Sequence, residues 1–457
     1  MQFRSLAAAV ASALAGLTMI GSPGATASTT ATSAVPIAAE QGICSDLFSG
    51  TFAPASSEPL AACQWDMSLI HADAATRARA TGAGVRVGIL DSGVDLGHPD
   101  IAPNLDLASS CSFVRSDDPT ITAGLTDPLE AGNGDCSNKA AIQDLGGHGS
   151  HVASTVAAPI NGVGIAGVAP KATIVALKAC TASTYCYGYA VADALRYAGD
   201  NDIDVVNMSL FADPYLFYCG NDAGQRAMMR ALQSAARYAQ QHGVLLVASA
   251  GNESIDLKHP IEDAISPDGP EDTPITRTVG NNCRVVPAEL PGVVSVMATG
   301  PVGYPGYTMN IADYSSVGGD IAAPGGDYFS ATDTVQDAIL AAMPTDSGIF
   351  KDLDGFSQDF PGVTTANGPA SYAWIQGTSM AAPHVTGVAA LVKQLHPRWS
   401  PSAVAAALMR TASPMSCPAG WKPLDDDDER FTCRGAADGH TSFFGAGLVD
   451  AAAATAR

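Results

Sequence analysis

Short, mainly apolar runs rich in valine and isoleucine recur along this chain, and they constrain its fold more than any other feature. They are Val85 to Leu90, Ile174 to Leu177, Val205 to Met208, Val244 to Ala248 and Val293 to Met297. A strand with one wet face alternates apolar and polar residues, whereas a run that is apolar almost throughout suits a strand buried on both faces. Longer amphipathic or alanine-rich segments lie between them, including Ala190 to Tyr197, Gln225 to Gln241 and Ser379 to Leu395. The alternation predicts an α/β fold: a doubly wound, mostly parallel sheet flanked by helices. Four stretches interrupt it, Cys111 to Asp144, Asp213 to Gly224, Glu253 to Pro291 and Gly326 to Tyr372. Their density of Gly, Pro, Asp and Asn predicts long surface loops.

With 47% hydrophobic and 15% charged residues among 457, the chain can bury a large core and is not a disordered one. Its formal charge of −22 repels phosphate backbones and anionic membranes, which argues against a nucleic-acid partner. Near the N-terminus Arg4 precedes the apolar stretch from Leu6 to Ile20, followed by breakers and the small-residue site Ala25-Thr26-Ala27. Residues 1–27 therefore read as a secretory signal peptide, too short in its apolar run for a bilayer span. A secreted, membrane-free, monomeric mature protein is expected. Residues 28–62, rich in Ala, Ser, Thr and Pro, read as an N-terminal extension or short pro-segment, and 63–457 as one domain. The cysteines, Cys44, Cys63, Cys111, Cys136, Cys180, Cys186, Cys219, Cys283, Cys417 and Cys433, are even in number and lack metal-site spacing. In an exported protein they predict disulfides that staple the long loops. Cys180 with Cys186 and Cys417 with Cys433 are natural pairs by proximity, although spacing alone does not settle connectivity.

Function in open α/β sheets gathers where strands end. The first run ends in Asp91, within Gly88-Ile89-Leu90-Asp91-Ser92-Gly93-Val94-Asp95. Asp91 there can orient a partner or merely cap a turn. In Gly146-Gly147-His148-Gly149-Ser150-His151-Val152-Ala153, paired glycines precede a small-residue helix with His148 at its start. His148 and His151 form a His-x-x-His pair, but no HExxH pattern supports zinc. Ser379, in Gly377-Thr378-Ser379-Met380-Ala381-Ala382-Pro383-His384, stands at a predicted helix N-terminus. Free N–H groups and the dipole there favour negative charge on a reacting oxygen, although Ser379 alone also reads as a plain cap. The string Ala248-Ser249-Ala250-Gly251-Asn252-Glu253 ends another strand and offers an amide donor to an oxyanion.

Together and in this order, the four strings resemble the subtilisin-like serine proteases, from about Gln64 to Asp450. The chain order Asp, His, Ser is that of subtilisin. The resemblance implies that Asp91 orients His148, that His148 takes the proton of Ser379, and that Asn252 and the Ser379 backbone N–H stabilise the oxyanion. It also implies that Ser209, Leu210, Phe211, Ser249, Ala250 and Gly251 bind a protein or peptide substrate. Phe211 stands where the family usually has glycine and is expected to narrow the pocket. Calcium is the implied cofactor, with Gln64, Asp100 and Asn161 at the family's ligand positions. The family's folded pro-domain has no counterpart in the pattern of residues 28–62. A lipase-like esterase is disfavoured, because no GxSxG elbow is present and the order of the triad differs. A noncatalytic binding protein on this scaffold is disfavoured by the presence of all four residues.

Overall fold

The computed structural model describes residues 51–270, 272–305, 307, 310–328, 334–344, 357–365, 368–418, 432–435 and 439–456. The expected signal peptide, the extension up to residue 50 and Cys44 lie outside them.

The valine- and isoleucine-rich runs form strands as expected. Strands β1 (Arg86–Asp91), β2 (Cys111–Ser112), β3 (Thr173–Lys178), β4 (Val205–Met208), β5 (Leu245–Ser249), β6 (Val293–Thr299) and β7 (Ile321–Pro324) build one sheet. Its order is β7-β6-β5-β4-β1-β3-β2, and every pairing is parallel. From β1 the chain goes to β2 at one edge, returns to β3 beside β1, and then crosses to β4 on the other side. The C-terminal end of β1 is thus beside the switch point where such sheets open a crevice.

Alternate residues of each strand enter opposite core layers, as a period of two requires. Val87 and Ile89 of β1 and Ile174 and Ala176 of β3 enter one layer, while Leu90, Val175 and Leu177 enter the other. The first layer is closed by helices α1 (His148–Ala157), α4 (Thr378–Leu395) and α5 (Pro401–Thr411), through Val152, Val388 and Val404. Helices α2 (Gly188–Asp200) and α3 (Ala223–Gln241) close the second through Leu195 and Leu232. The starts of these helices have local causes. Asp222 accepts from Gln225 N at 2.8 Å to cap α3, and Ser400 caps α5 ahead of Pro401 at its first position.

One expected loop is a correction. Residues Gly326 to Tyr372 contain most of a second, antiparallel sheet, β8 (Ile339–Met343), β9 (Ser357–Thr365) and β10 (Gly368–Ile375), in the order β8-β10-β9. Every residue of β8 is buried, with Ala341 and Ala342 small enough for α1 to approach closely. Hydrogen bonding joins the two: His151 Nε2 lies 3.0 Å from Ile339 O and 3.1 Å from Ala373 O.

Disulfides hold the remaining long connections. Cys111–Cys136, Cys180–Cys186, Cys219–Cys283 and Cys417–Cys433 are formed, including both pairs expected from proximity. Cys219–Cys283 ties the segment after β4 to the one after β5. Packing also begins earlier than the composition suggests. Phe52 lies 6.0 Å from the Trp65 ring, centroid to centroid, and Leu60 is buried in the first core layer.

Candidate active site

The carboxyl ends of β1, β4 and β5 and the N-termini of α1 and α4 face one pocket. Asp91, His148, Ser209, Leu210, Phe211, Ser249, Gly251, Asn252 and Ser379 all line it. Ala250 does not: its N–H bonds Val296 O at 2.9 Å and its side chain is buried in the second core layer.

Asp91 is the last residue of β1 and its side chain is only 2% exposed, against 21% for His148. His148 Nδ1 lies 2.8 Å from Asp91 Oδ1, which also accepts from Ser92 N at 2.7 Å. Facing a carboxylate, Nδ1 carries the proton, so Nε2 is left as the basic nitrogen. Burial alone would lower the His148 pKa, but the charge and hydrogen bond of Asp91, with help from Asp144, hold it above the ordinary value. Gly149 lets the two approach. A Cβ there would sit 2.1 Å from Gly93 O and 3.2 Å from Asp91 Oδ1. The second histidine has a structural task, because burial lowers His151 to about 3 and keeps it neutral, able to donate to the carbonyls of the small sheet.

Ser379 lies in the first turn of α4, where backbone N–H groups have no partner within the helix. Its Oγ donates to Ser209 O at 3.3 Å. Four residues on, Pro383 has no N–H to offer the Ser379 carbonyl. Ser209 Oγ takes that place, donating to Ser379 O at 2.7 Å while accepting from Asn207 Nδ2 at 2.8 Å. Asn207 is itself held by Thr386 Oγ1 of α4 at 2.9 Å.

The amide of Asn252 is oriented by a residue that sequence reasoning missed. Its Oδ1 accepts from both the N–H and the Oγ1 of Thr378, each at 2.8 Å. That pairing fixes which end is oxygen and leaves Nδ2 as the donor on the other side. The signal was present in the sequence as a hydroxyl residue directly before Ser379.

The pocket is acidic. Asp213 and Glu253 line it with Asp91, and no lysine or arginine is among its described lining residues. Burial, and then the neighbouring Asp268, pushes Asp213 well above the carboxylate range, and burial raises Glu253 to about 7.

The expected metal residues lie away from this pocket. Asp100 Oδ2 accepts from Tyr372 Oη at 2.7 Å and from Ile165 N at 3.0 Å. Asn161 Oδ1 accepts from Val163 N at 2.9 Å, and Gln64 pairs both ends of its amide with the Ala166 backbone at 3.0 Å. The described residues contain no group of three or more His, Cys, Asp or Glu side chains placed to hold a metal. However, Asp100 Oδ1 and Glu58 Oε2 are buried without hydrogen-bond partners. Burial raises Asp100 to about 7, and the Glu58 charge adds to the effect. Two uncompensated oxygen donors of this kind fit a hard divalent cation.

A parallel α/β sheet with a hydroxyl, an imidazole and a carboxylate at one mouth belongs to the class of hydrolases built around an activated nucleophile. The model of the subtilase family matches residues 82–447, and the chain belongs to that family, which makes it a serine endopeptidase. Subtilisin Savinase of Lederbergia lenta is 29% identical over 86% of this chain and 98% of its own length. The M-protease of Shouchella clausii (strain KSM-K16) is 30% identical over 86% of this chain and 69% of its own. Among solved structures, a protease of Pseudoalteromonas arctica PAMC 21717 matches 88% of the chain at 26% identity with a TM-score of 0.59, over 98% of its own length. Fervidolysin of Fervidobacterium pennivorans, described as a keratinolytic enzyme related to subtilisin, matches 89% at 26% identity with a TM-score of 0.57. The matched part is 48% of fervidolysin's own chain.

Proposed function

We propose that the protein is a secreted endopeptidase that cleaves protein or peptide substrates through Asp91, His148 and Ser379. The observation that carries this reading is the 2.8 Å contact of His148 with Asp91 on the wall of the pocket that Ser379 and Asn252 also line. Rotation about the Ser379 Cα–Cβ bond takes Oγ from Ser209 O toward His148 Nε2, a tightening common when an empty site receives substrate. His148 removes the proton as Oγ attacks the carbonyl carbon, and the ring, now charged, is stabilised by Asp91. The oxyanion is met by Asn252 Nδ2 and the Ser379 N–H. His148 then gives its proton to the leaving amine and activates water against the acyl-enzyme.

Ser209, Leu210 and Phe211 add to an extended substrate as a neighbouring strand, with Ser249 and Gly251 opposite, a mode that yields affinity with little side-chain selectivity. Phe211 supplies selectivity by narrowing the pocket.

Calcium is the proposed structural ion, held by Asp100 with Glu58 and the Asn161 turn; its role is to neutralise buried carboxylates. Gln64 serves that region by clamping Ala166. Secretion is supported by the disulfides and by the reading of residues 1–27. No helix among the described residues is long and apolar enough to cross a membrane. The peptidase domain is taken from residue 63, with residues from Phe52 packed against it.

A serine-directed fluorophosphonate tests the reading. The expected result is a single adduct at Ser379, located by mass spectrometry, together with loss of casein hydrolysis. A folded protein that stays unlabelled and inactive refutes it.

A further inference from the structure

Asp144 is a fully buried carboxylate, three residues before Gly147 at the start of the His148 helix. Both of its oxygens are saturated from the surrounding backbone and hydroxyls. Oδ1 accepts from Ser92 Oγ at 3.0 Å, from Gly146 N at 3.1 Å and from Gly147 N at 2.8 Å. Oδ2 accepts from Ser150 N at 2.9 Å and Ser150 Oγ at 2.7 Å. These donors come from both sides of His148 in sequence and from the residue that follows Asp91. Ser92 Oγ also accepts from Gly149 N at 2.9 Å, and Ser150 Oγ lies 2.9 Å from Asp95 N as its acceptor. The turn carrying His148 is therefore stitched to the end of β1 through one carboxylate.

We propose that Asp144 is a positioning residue for His148: it fixes the imidazole turn against Asp91 and supplies a second fixed negative charge behind the ring. The proposal rests on His148 being the general base. A carboxylate suits this place better than a neutral side chain because it accepts at every lone pair and donates at none. An asparagine has the same shape, but its amide must present N–H groups to one of the two donor sets. Either the Ser92, Gly146 and Gly147 set or the Ser150 set then loses its acceptor.

Other charges face this region. Asp91 contacts His148 from β1, and His151 follows it on α1. Lys178 Nζ reaches Gln143 O at 2.7 Å from β3, with its charge offset by Glu130 Oε2 at 2.5 Å. Asp95 meets Gln143 Nε2 at 3.5 Å. Asp144 also helps to raise Glu130, so its effect on His148 is read from the titration of that ring itself. Asp144 already contributes to the raised His148 value, so its removal lowers it.

The test compares Asp144→Asn with Ser92→Ala, which removes a link but keeps the charge. Two readouts are used: the pH profile of kcat/KM, and NMR titration of the His148 ring in a Ser379→Ala background. Asp144→Asn is expected to move the acid limb and the ring titration down by about half a unit to one unit, the scale of one nearby charge in a partly solvated site. Its kcat is expected to fall on the order of tenfold or more, as for a misplaced base. Ser92→Ala is expected to lower kcat while leaving the limb in place. A ring titration unmoved in Asp144→Asn overturns the electrostatic role. If Asp144→Asn does not fold, Ser92→Ala decides the positioning role, and an unchanged kcat overturns it. A wild-type protein that fails to label at Ser379 would instead remove the underlying reading, while the ring titration would still report on the Asp144 charge.

Discussion

The helix that carries Ser379 is anchored from below by a buried histidine–carboxylate pair whose removal has a calculable cost. His384 and Asp66 are both fully buried, with His384 Nε2 2.9 Å from Asp66 Oδ2 and Nδ1 2.8 Å from Met380 O. Both ring nitrogens are thus engaged inside the core. Asp66→Ala leaves Nε2 buried with nothing to bond, and losing one partner of such a pair costs about 3–5 kcal/mol. Replacing both partners, as Asp66→Leu with His384→Met, removes the stranded group and is expected to cost less than Asp66→Ala alone. The assay is urea unfolding followed by tryptophan fluorescence, in a Ser379→Ala background so that the protein does not digest itself. A loss below about 1 kcal/mol for Asp66→Ala, or a double variant whose loss is the sum of the singles, would refute the reasoning.

Asn252→Ala is expected to lower kcat by about 10² to 10³ with little change in KM, the cost that subtilisin itself shows for this loss; a fall confined to KM counts against the oxyanion role. Phe211→Gly is expected to widen the range of substrate side chains accepted, read from a peptide library, and an identical profile excludes the narrowing. For Asp100 the sign follows from a pKa raised to about 7 in the folded protein without metal. The unfolded chain ionises near its ordinary value, so stability falls as pH rises from about 4 through 7, by on the order of 4 kcal/mol in full. Added calcium should restore the melting temperature most above pH 7, and a melting temperature indifferent to chelator at pH 8 refutes the site.

Much of this architecture was legible because its causes are local. Val244 to Ala248 is a buried strand on its apolar content alone, and the end of α3 falls where periodicity ends. The second sheet was not legible, because Ile339–Met343 is a short run amid Gly, Asp and Ser whose partner strand lies beyond it in the chain. Its stability comes from burial under α1, a tertiary effect that no window of sequence contains. The residues proposed to react stood out through their strings, whereas their supports did not. Asp144 and Thr378 are of types common in turns and caps, and only their hydrogen bonds distinguish them, while Glu58 is marked by a buried oxygen without a partner. Lys178 closes a strand and reads as its solvent end, yet it is fully buried against Glu130. Ala250 was expected at the pocket and is turned into the core instead, whereas Asp213 and Glu253, which line the pocket, were not expected there.

The proline inside α4 makes two parts of the site interdependent. Because Ser209 stands in for the missing helical donor, the segment proposed to lie along a substrate is fastened to the carbonyl of the residue expected to attack it. A peptide that pulls or tilts that segment shifts the nucleophile's own backbone, and with it the adjacent N–H. Occupancy several residues from the scissile bond can therefore be felt as a change in turnover as well as in affinity. A long, well-seated peptide and a short one would then differ in how fast they are cut once bound.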